Sequence, residues 1–391
     1  MNLSNSRNQT KRRCRLRIYF LGILLINSLS LWSQTSNSDF ERIKLFSPGV
    51  EYSGIALSPD KNTIAISAKK LEPVKIVDWK NQKNIQEINA GNWTYGSKIS
   101  YSESGKYLLL QELNYMDFSQ NKKRNIGFEI IDAANGKSVK RYENVQDVIV
   151  SSDEKYAVSL SNDEVTCWNL AGGSIEKSIT VPGAANAIAL SSDGKTLAVS
   201  VIINHNDLKD RFKKDKKSLN NAVKFKQMVS LYDMESKSRI KTVSELYDLI
   251  YNLSFLPEGN FLSVYQTPEI RIQVNNNKQS FINLIDMSTQ EPIRKGFTSM
   301  SIAQPELKFS SDNKLLAINS KGSRFQEIHL YDSETGTLQK RFELASRLFE
   351  KSDGEKLQSD PRPTFVFLPG DQEILIAIGN QLIKWNLESN P

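Results

Sequence analysis

The chain has 391 residues, 39% hydrophobic and 24% charged, with 17 Phe and 13 Tyr, which supplies enough apolar material for a large core and excludes global disorder. Its formal net charge of +7 is concentrated in the first 33 residues, where Arg7, Lys11, Arg12, Arg13, Arg15 and Arg17 meet no acid. The remainder carries 45 basic against 44 acidic residues, so the overall basicity is no sign of a polyanionic partner and no nucleic-acid binding is expected.

The basic stretch ends at Arg17 and is followed by the apolar run Ile18 to Ile26, then by the small and polar residues Asn27, Ser28 and Ser30. This order is that of a secretory signal. Residues 1–33 are therefore expected to be an export signal cut after Ser30 or Ser33, with 34–391 as the mature chain in the periplasm or at the cell surface. The run is shorter than the ~20 residues of a spanning helix, so no transmembrane segment is expected in the mature chain; an uncleaved anchor reaching Trp32 is the alternative. Cys14 precedes the apolar run and is not placed for lipidation. Cys167 is then the single cysteine, and no intramolecular disulfide can form.

From residue 54 onward two short patterns alternate, seven copies of each. The first is a strand, a tight turn and a second apolar strand: GIALSPDKNTIAI from Gly54, KISYSESGKYLLL from Lys98, DVIVSSDEKYAVS from Asp147, AIALSSDGKTLAV from Ala187, NLSFLPEGNFLSV from Asn252, ELKFSSDNKLLAI from Glu306 and TFVFLPGDQEILI from Thr364. Before each turn stands an apolar pair of period two, such as Ile55/Leu57 or Phe365/Phe367, the mark of a strand with one buried face. In the turn, Pro presets φ, Asp or Ser bonds to the local backbone, and Gly or Asn is expected at the strained corner.

The second pattern is a strand ending in Asp or Asn: VKIVDW from Val74, FEIID from Phe128, VTCWN from Val165, VSLYD from Val229, INLID from Ile282, IHLYD from Ile328 and LIKWN from Leu382. The terminal Asp or Asn is expected to cap the turn into a fourth strand. Four antiparallel strands per unit, repeated radially, give an all-β, seven-bladed β-propeller.

These "SPDGK-x-LA" and "h-x-h-(W/Y)-D" elements resemble the WD40-like, YVTN-type propeller repeats of exported bacterial proteins, from about Phe40 to Ser389. The resemblance is to the looser class. The Gly-His dipeptide of strict WD40 repeats is absent, because the two histidines, His205 and His329, do not follow Gly, so the buried network built on that histidine is not expected. The resemblance implies a binding scaffold.

The seventh unit ends at its third strand, whereas 40–46 alternates like a strand and has no partner of its own. Pairing 40–46 with 381–387 would close the ring and remove two unpaired edges.

In such blades the first-to-second and third-to-fourth turns lie on one face, and the second-to-third loops and blade connections on the other. Units 2, 4 and 5 lengthen between their second and third strands, as does the connection from unit 6 to unit 7, so all four insertions fall on the same face. Long loops on a rigid scaffold are where binding usually resides. The candidate partner-binding residues are Tyr115, Phe118, Lys122, Lys123 and Arg124 in unit 2, Arg271 in unit 5, and Arg211, Lys213, Lys214, Lys216 and Lys217 in unit 4; Met116 in unit 2 and Arg347, Leu348 and Phe349 in the 6-to-7 connection accompany them. In unit 4, Asn206 or Asp207 is expected to cap a helix with Leu208, Phe212, Leu219 and Val223 on one stripe. Its other face carries eight basic residues against three acidic ones, which suits an acidic protein or anionic envelope lipid.

No nucleophile elbow, phosphate loop or Cys/His metal spacing is present. His329 is expected on the solvent side of its strand and Cys167 in the core. The expected function is an exported, non-catalytic, monomeric scaffold for a protein or acidic envelope partner, with no cofactor. The alternatives are a lactonase-type propeller hydrolase with a metal in its central channel and a cell-surface adhesion protein.

Overall fold

A computed structural model of the protein describes residues 40–43, 51–113, 125–211, 213, 216–222, 227–256, 259–267, 279–300, 306–321, 325–345 and 362–388. It consists of seven four-stranded antiparallel sheets. Blades 1 to 6 occupy 52–88, 97–145, 147–180, 185–242, 249–300 and 307–345, each with its strands a to d in chain order from the axis outward. Blade 7 takes three strands from 364–386 and its outer strand from Phe40–Ile43, with Phe40 opposite Trp385 and Ile43 opposite Leu382. The ring therefore closes as the unpaired chain segments implied; 44–46 lie outside the described residues.

Each hairpin between strands a and b uses one hydrogen-bond scheme. In blade 1 the Ser58 N–H donates to Thr63 O at 2.9 Å, and Lys61 N–H donates back to Ser58 O at 2.8 Å. The Ser58 hydroxyl donates to Asp60 at 2.5 Å while accepting the Thr63 N–H at 3.0 Å. The same Ser-to-Asp bond recurs at Ser151, Ser191 and Ser310. The fourth turn residue has positive φ in all seven blades, but it is not always the expected Gly or Asn. Gly or Asn holds that corner in blades 2, 4, 5 and 6, but Lys61, Glu154 and Asp371 hold it in the others, at φ of 62°, 56° and 57°. The hairpin bonds on either side fix the corner strongly enough to impose the left-handed region on a residue with a Cβ.

The Asp or Asn closing strand c caps the next turn, as expected. Asp132 Oδ1 accepts the N–H groups of Ala134 and Asn135 at 3.0 and 3.1 Å, and Asn169 Oδ1 those of Ala171 and Gly172.

The core is seven separate apolar clusters, one between each pair of neighbouring blades. Between blades 6 and 7, Trp385 stacks on Phe342 with centroids 4.8 Å apart. Cys167 is buried between blades 3 and 4, where a core residue was expected. Inner strands converge closely at the axis: a Cβ on Gly54 would lie 2.6 Å from Ser97 O of blade 2, so only glycine fits.

Because both sides of every blade face a neighbour, the polar column of strand c is interior as well. Glu129 and Ser230 are buried. His329 is likewise not on the solvent side: it is half-buried, with Nε2 2.7 Å from Glu327 Oε2 and Nδ1 3.3 Å from the Tyr331 hydroxyl. A single-sheet reading of strand alternation assigns the second face to water, and radial packing gives it to the next blade.

Candidate functional site

The ring has a turn face, carrying the a–b and c–d turns, and a loop face, carrying the b–c loops and the blade connections. The strand ends flanking the four long segments, Glu112 and Ile126, Ile202 and Gln227, Thr267 and Gln279, Ala345 and Thr364, all open on the loop face. Tyr115, Met116, Phe118, Lys122, Lys123, Arg124, Lys214, Arg271, Arg347, Leu348 and Phe349 lie outside the described residues.

The blade 4 segment holds two short helices, α1 (His205–Arg211) and α2 (Lys216–Ala222), where one amphipathic stripe was expected. Asn204 is the cap, earlier than the expected Asn206 or Asp207: its Oδ1 accepts the Asn206 N–H at 2.9 Å and its carbonyl the Leu208 N–H at 3.1 Å. Leu208 is buried and Leu219 half-buried, as a packed stripe requires; Phe212 and Val223 lie outside the described residues. Arg211 ends α1, Lys213 is exposed and 2.8 Å from Asp210, and Lys216 and Lys217 are exposed on α2. Four of the expected basic residues thus share one lobe.

The loop face also presents a feature that no spacing in the sequence signals. Leu71, in the b–c loop of blade 1, is 57% exposed, and Tyr95, in the following connection, is 56% exposed. Their segments are tied by Lys70 N–H to Thr94 O at 3.1 Å. Lys70 and Leu71 both have positive φ, 63° and 65°, a conformation that costs non-glycine residues about 1 kcal/mol or more each.

The channel along the axis contains charged groups that the repeat does not call for. At the fourth position before the hairpin, blades 2, 3 and 6 carry Lys98, Asp147 and Glu306, where blades 1, 4 and 7 carry Gly54, Ala187 and Thr364. Lys98 Nζ lies 3.5 Å from Glu306 Oε2, joining blades 2 and 6, which are not neighbours, so the pair spans the channel. Glu306 Oε1 takes Lys308 at 3.2 Å. Burial pushes the Glu306 carboxyl up, and Lys98 and Lys308 together outweigh it, so it titrates below the ordinary carboxylate value. Asp147 Oδ2 accepts the Ile188 N–H of blade 4 at 3.1 Å. Burial raises the Tyr251 phenol well above its ordinary value, with the Arg362 charge lowering and the Asp147 charge raising it.

On the turn face the channel mouth opens into a cavity of about 410 Å³ between blades 1, 2, 6 and 7. Its walls include Leu57, Tyr101, Phe309 and Phe367, the second members of the apolar pairs. Lys308 lines it too, and Glu103, Lys61 and Asp371 stand at its turns. The pairs were expected on the one buried face of a strand. In six blades the member next to the turn is half-buried. Among the described residues no three His, Cys, Asp or Glu side chains gather as metal ligands, and Glu306 and Asp147 engage ammonium and amide groups, so the donor set of a channel-bound hard cation is not assembled from them.

No protein-family model matches the chain, and no curated protein matches it. Among solved structures it is similar to a chain of Kuenenia stuttgartiensis hydrazine synthase, with 14% identity and a TM-score of 0.56 over 92% of this chain and 100% of that one. At that identity the likeness shows the fold alone. The protein is a seven-bladed β-propeller.

Proposed function

We propose that the protein is an exported, non-catalytic scaffold of the WD40-like, YVTN repeat type found in bacteria, which binds a protein or acidic envelope partner through its loop face. The observation that carries this reading is the confinement of the four long segments to one side of a ring whose other side repeats a single hairpin. The exposed Leu71 and Tyr95 and the basic lobe of α1 and α2 stand on that same side. Exposed apolar groups and lysines on the same face suit a partner with an acidic, partly apolar surface.

Binding of the full mature protein to vesicles of phosphatidylglycerol and phosphatidylcholine, and to the native envelope fraction, tests the reading. Replacing Lys213, Lys214, Lys216 and Lys217 with Gln should weaken association most at low ionic strength, each lysine near an anionic surface contributing ~1 kcal/mol. Equal association of variant and wild type at every salt concentration would remove the blade 4 lobe from the binding surface. Export is tested separately by the intact mass of the native protein, which should begin near Leu31 or Gln34; retention of Met1 to Trp32 would overturn it.

A further inference from the structure

Lys308 stands two residues before the hairpin of blade 6. The corresponding residues of the other blades are Ala56, Ser100, Ile149, Ala189, Ser254 and Val366, none of them charged. The position therefore does not need a lysine to fold, and an ammonium beside the axis must be compensated. That compensation is Glu306, which divides its two oxygens between Lys308 and, across the channel, Lys98. Two ammonium groups thus share one carboxylate. The Lys308 side chain is 33% exposed, and it has three donor protons for one carboxylate oxygen at 3.2 Å.

The same Lys308 lines the turn-face cavity, and Tyr101, Phe309 and Phe367 supply aromatic walls. The carboxylate of Asp371 at the rim is held by the backbone N–H of Ser311 at 2.9 Å and by its hydroxyl, and Glu103 is exposed to water. Lys308 lines the cavity from strand a of blade 6, whereas Lys61, Glu103 and Asp371 line it from the hairpin turns. A volume of about 410 Å³, mostly apolar walls and a few charged groups, of which Lys308 is the one on a strand and not in a turn, are the make-up of a small-molecule site.

We infer that the turn-face mouth of the channel is a binding site for a small organic anion, its carboxylate directed at Lys308 and its apolar body lying against Tyr101, Phe309 and Phe367. The site is on the opposite face from the proposed partner surface and does not depend on it. A hydrogen bond from an ammonium to a carboxylate is shorter and stronger than one to a neutral oxygen, so the site should distinguish an acid from its amide.

Calorimetric titration of the full mature protein with phenylacetate and 4-methylpentanoate, each against the matching primary amide, tests this. The acids should bind at least about tenfold more tightly than the amides. Lys308→Gln should abolish that preference, Lys308→Arg should retain it, and Phe309→Ala should weaken acid and amide alike. Melting curves identify any variant that has lost its fold, and the Arg variant and the acid-to-amide ratio of the wild type stand without the Gln variant. Failure of both acids to bind the wild type, equal binding of acid and amide, or an undiminished preference in Lys308→Gln would each overturn the inference.

Discussion

The two faces of the ring diverge in how they use the same seven blades. On the turn face every hairpin repeats one scheme, with the fourth residue at positive φ and, in four blades, a Ser hydroxyl bonded to Asp. Neighbouring hairpins are also clasped: the N–H and hydroxyl of Ser104 in blade 2 both donate to Glu154 of blade 3 at 2.7 Å. On the loop face the connections differ in length from blade to blade, and one carries two helices of its own. A turn face held this tightly can vary its chemistry by substitution at fixed positions, as at Lys308 beside the cavity. A loop face can vary by insertion, because lengthening a surface loop costs little.

If stability resides in the blade interfaces and the turn face, substitutions there should be expensive and changes on the loop face nearly free. The largest effect is expected from removing Phe40–Ile43, which strips the outer strand from blade 7 and leaves the edge of Gln381–Asn386 unpaired. The melting temperature should fall by about 5 °C or more, or the protein should aggregate; an unchanged transition would mean that the ring is closed by something else. Next is Trp385→Ala, which empties the stacked contact with Phe342 between blades 6 and 7 and should cost about 3–5 kcal/mol in denaturant unfolding.

Glu306→Gln should cost about 3 kcal/mol, because Lys98 and Lys308 would be left without their shared carboxylate. Its pH dependence sharpens the point. The Glu306 carboxyl titrates below its ordinary value in the folded protein, so its contribution is fully present above the unfolded value of about pH 4.3 and is lost as the pH falls through the lower folded value. The wild type should therefore lose stability below pH ~4 more steeply than the variant, measured as melting temperature against pH; parallel curves would contradict the channel assignment.

Smaller still, Asp193→Ala removes the acceptor of the Ser191 hydroxyl and the Lys195 N–H and should cost about 1 kcal/mol at most, the site being exposed. On the loop face the expected sign reverses. Leu71→Gly relieves a positive φ of 65° and should stabilise the fold by up to about 1 kcal/mol, while weakening association with the proposed partner. A destabilised Leu71→Gly would mean that this loop is part of the framework after all.

Much of this architecture was legible in the chain. Seven alternating hairpins, the Asp or Asn capping each third strand, the unpaired segment at 40–46 and the single face for the long loops all follow from patterns a few residues long, because hydrogen bonds within one hairpin or turn involve near neighbours. The helix cap at Asn204, the corners at Lys61, Glu154 and Asp371, and the interior setting of His329 were not legible. The cap falls on one of several suitable Asn and Asp residues, the corners are imposed by the hairpin hydrogen bonds on either side, and His329 is enclosed by radial packing of the blades.

The channel was beyond any local reading. Lys98 and Glu306 lie in the quoted repeats of units 2 and 6, and Lys308 interrupts a column of small and apolar residues, so their departure from the repeat was visible. That they meet was not. A periodic sequence specifies each blade and its neighbours, whereas contacts between non-adjacent blades exist only at the axis of the closed ring. Which charged residues face one another there depends on the number of blades and the register of closure, and those are settled by the pairing of the first strand with the last.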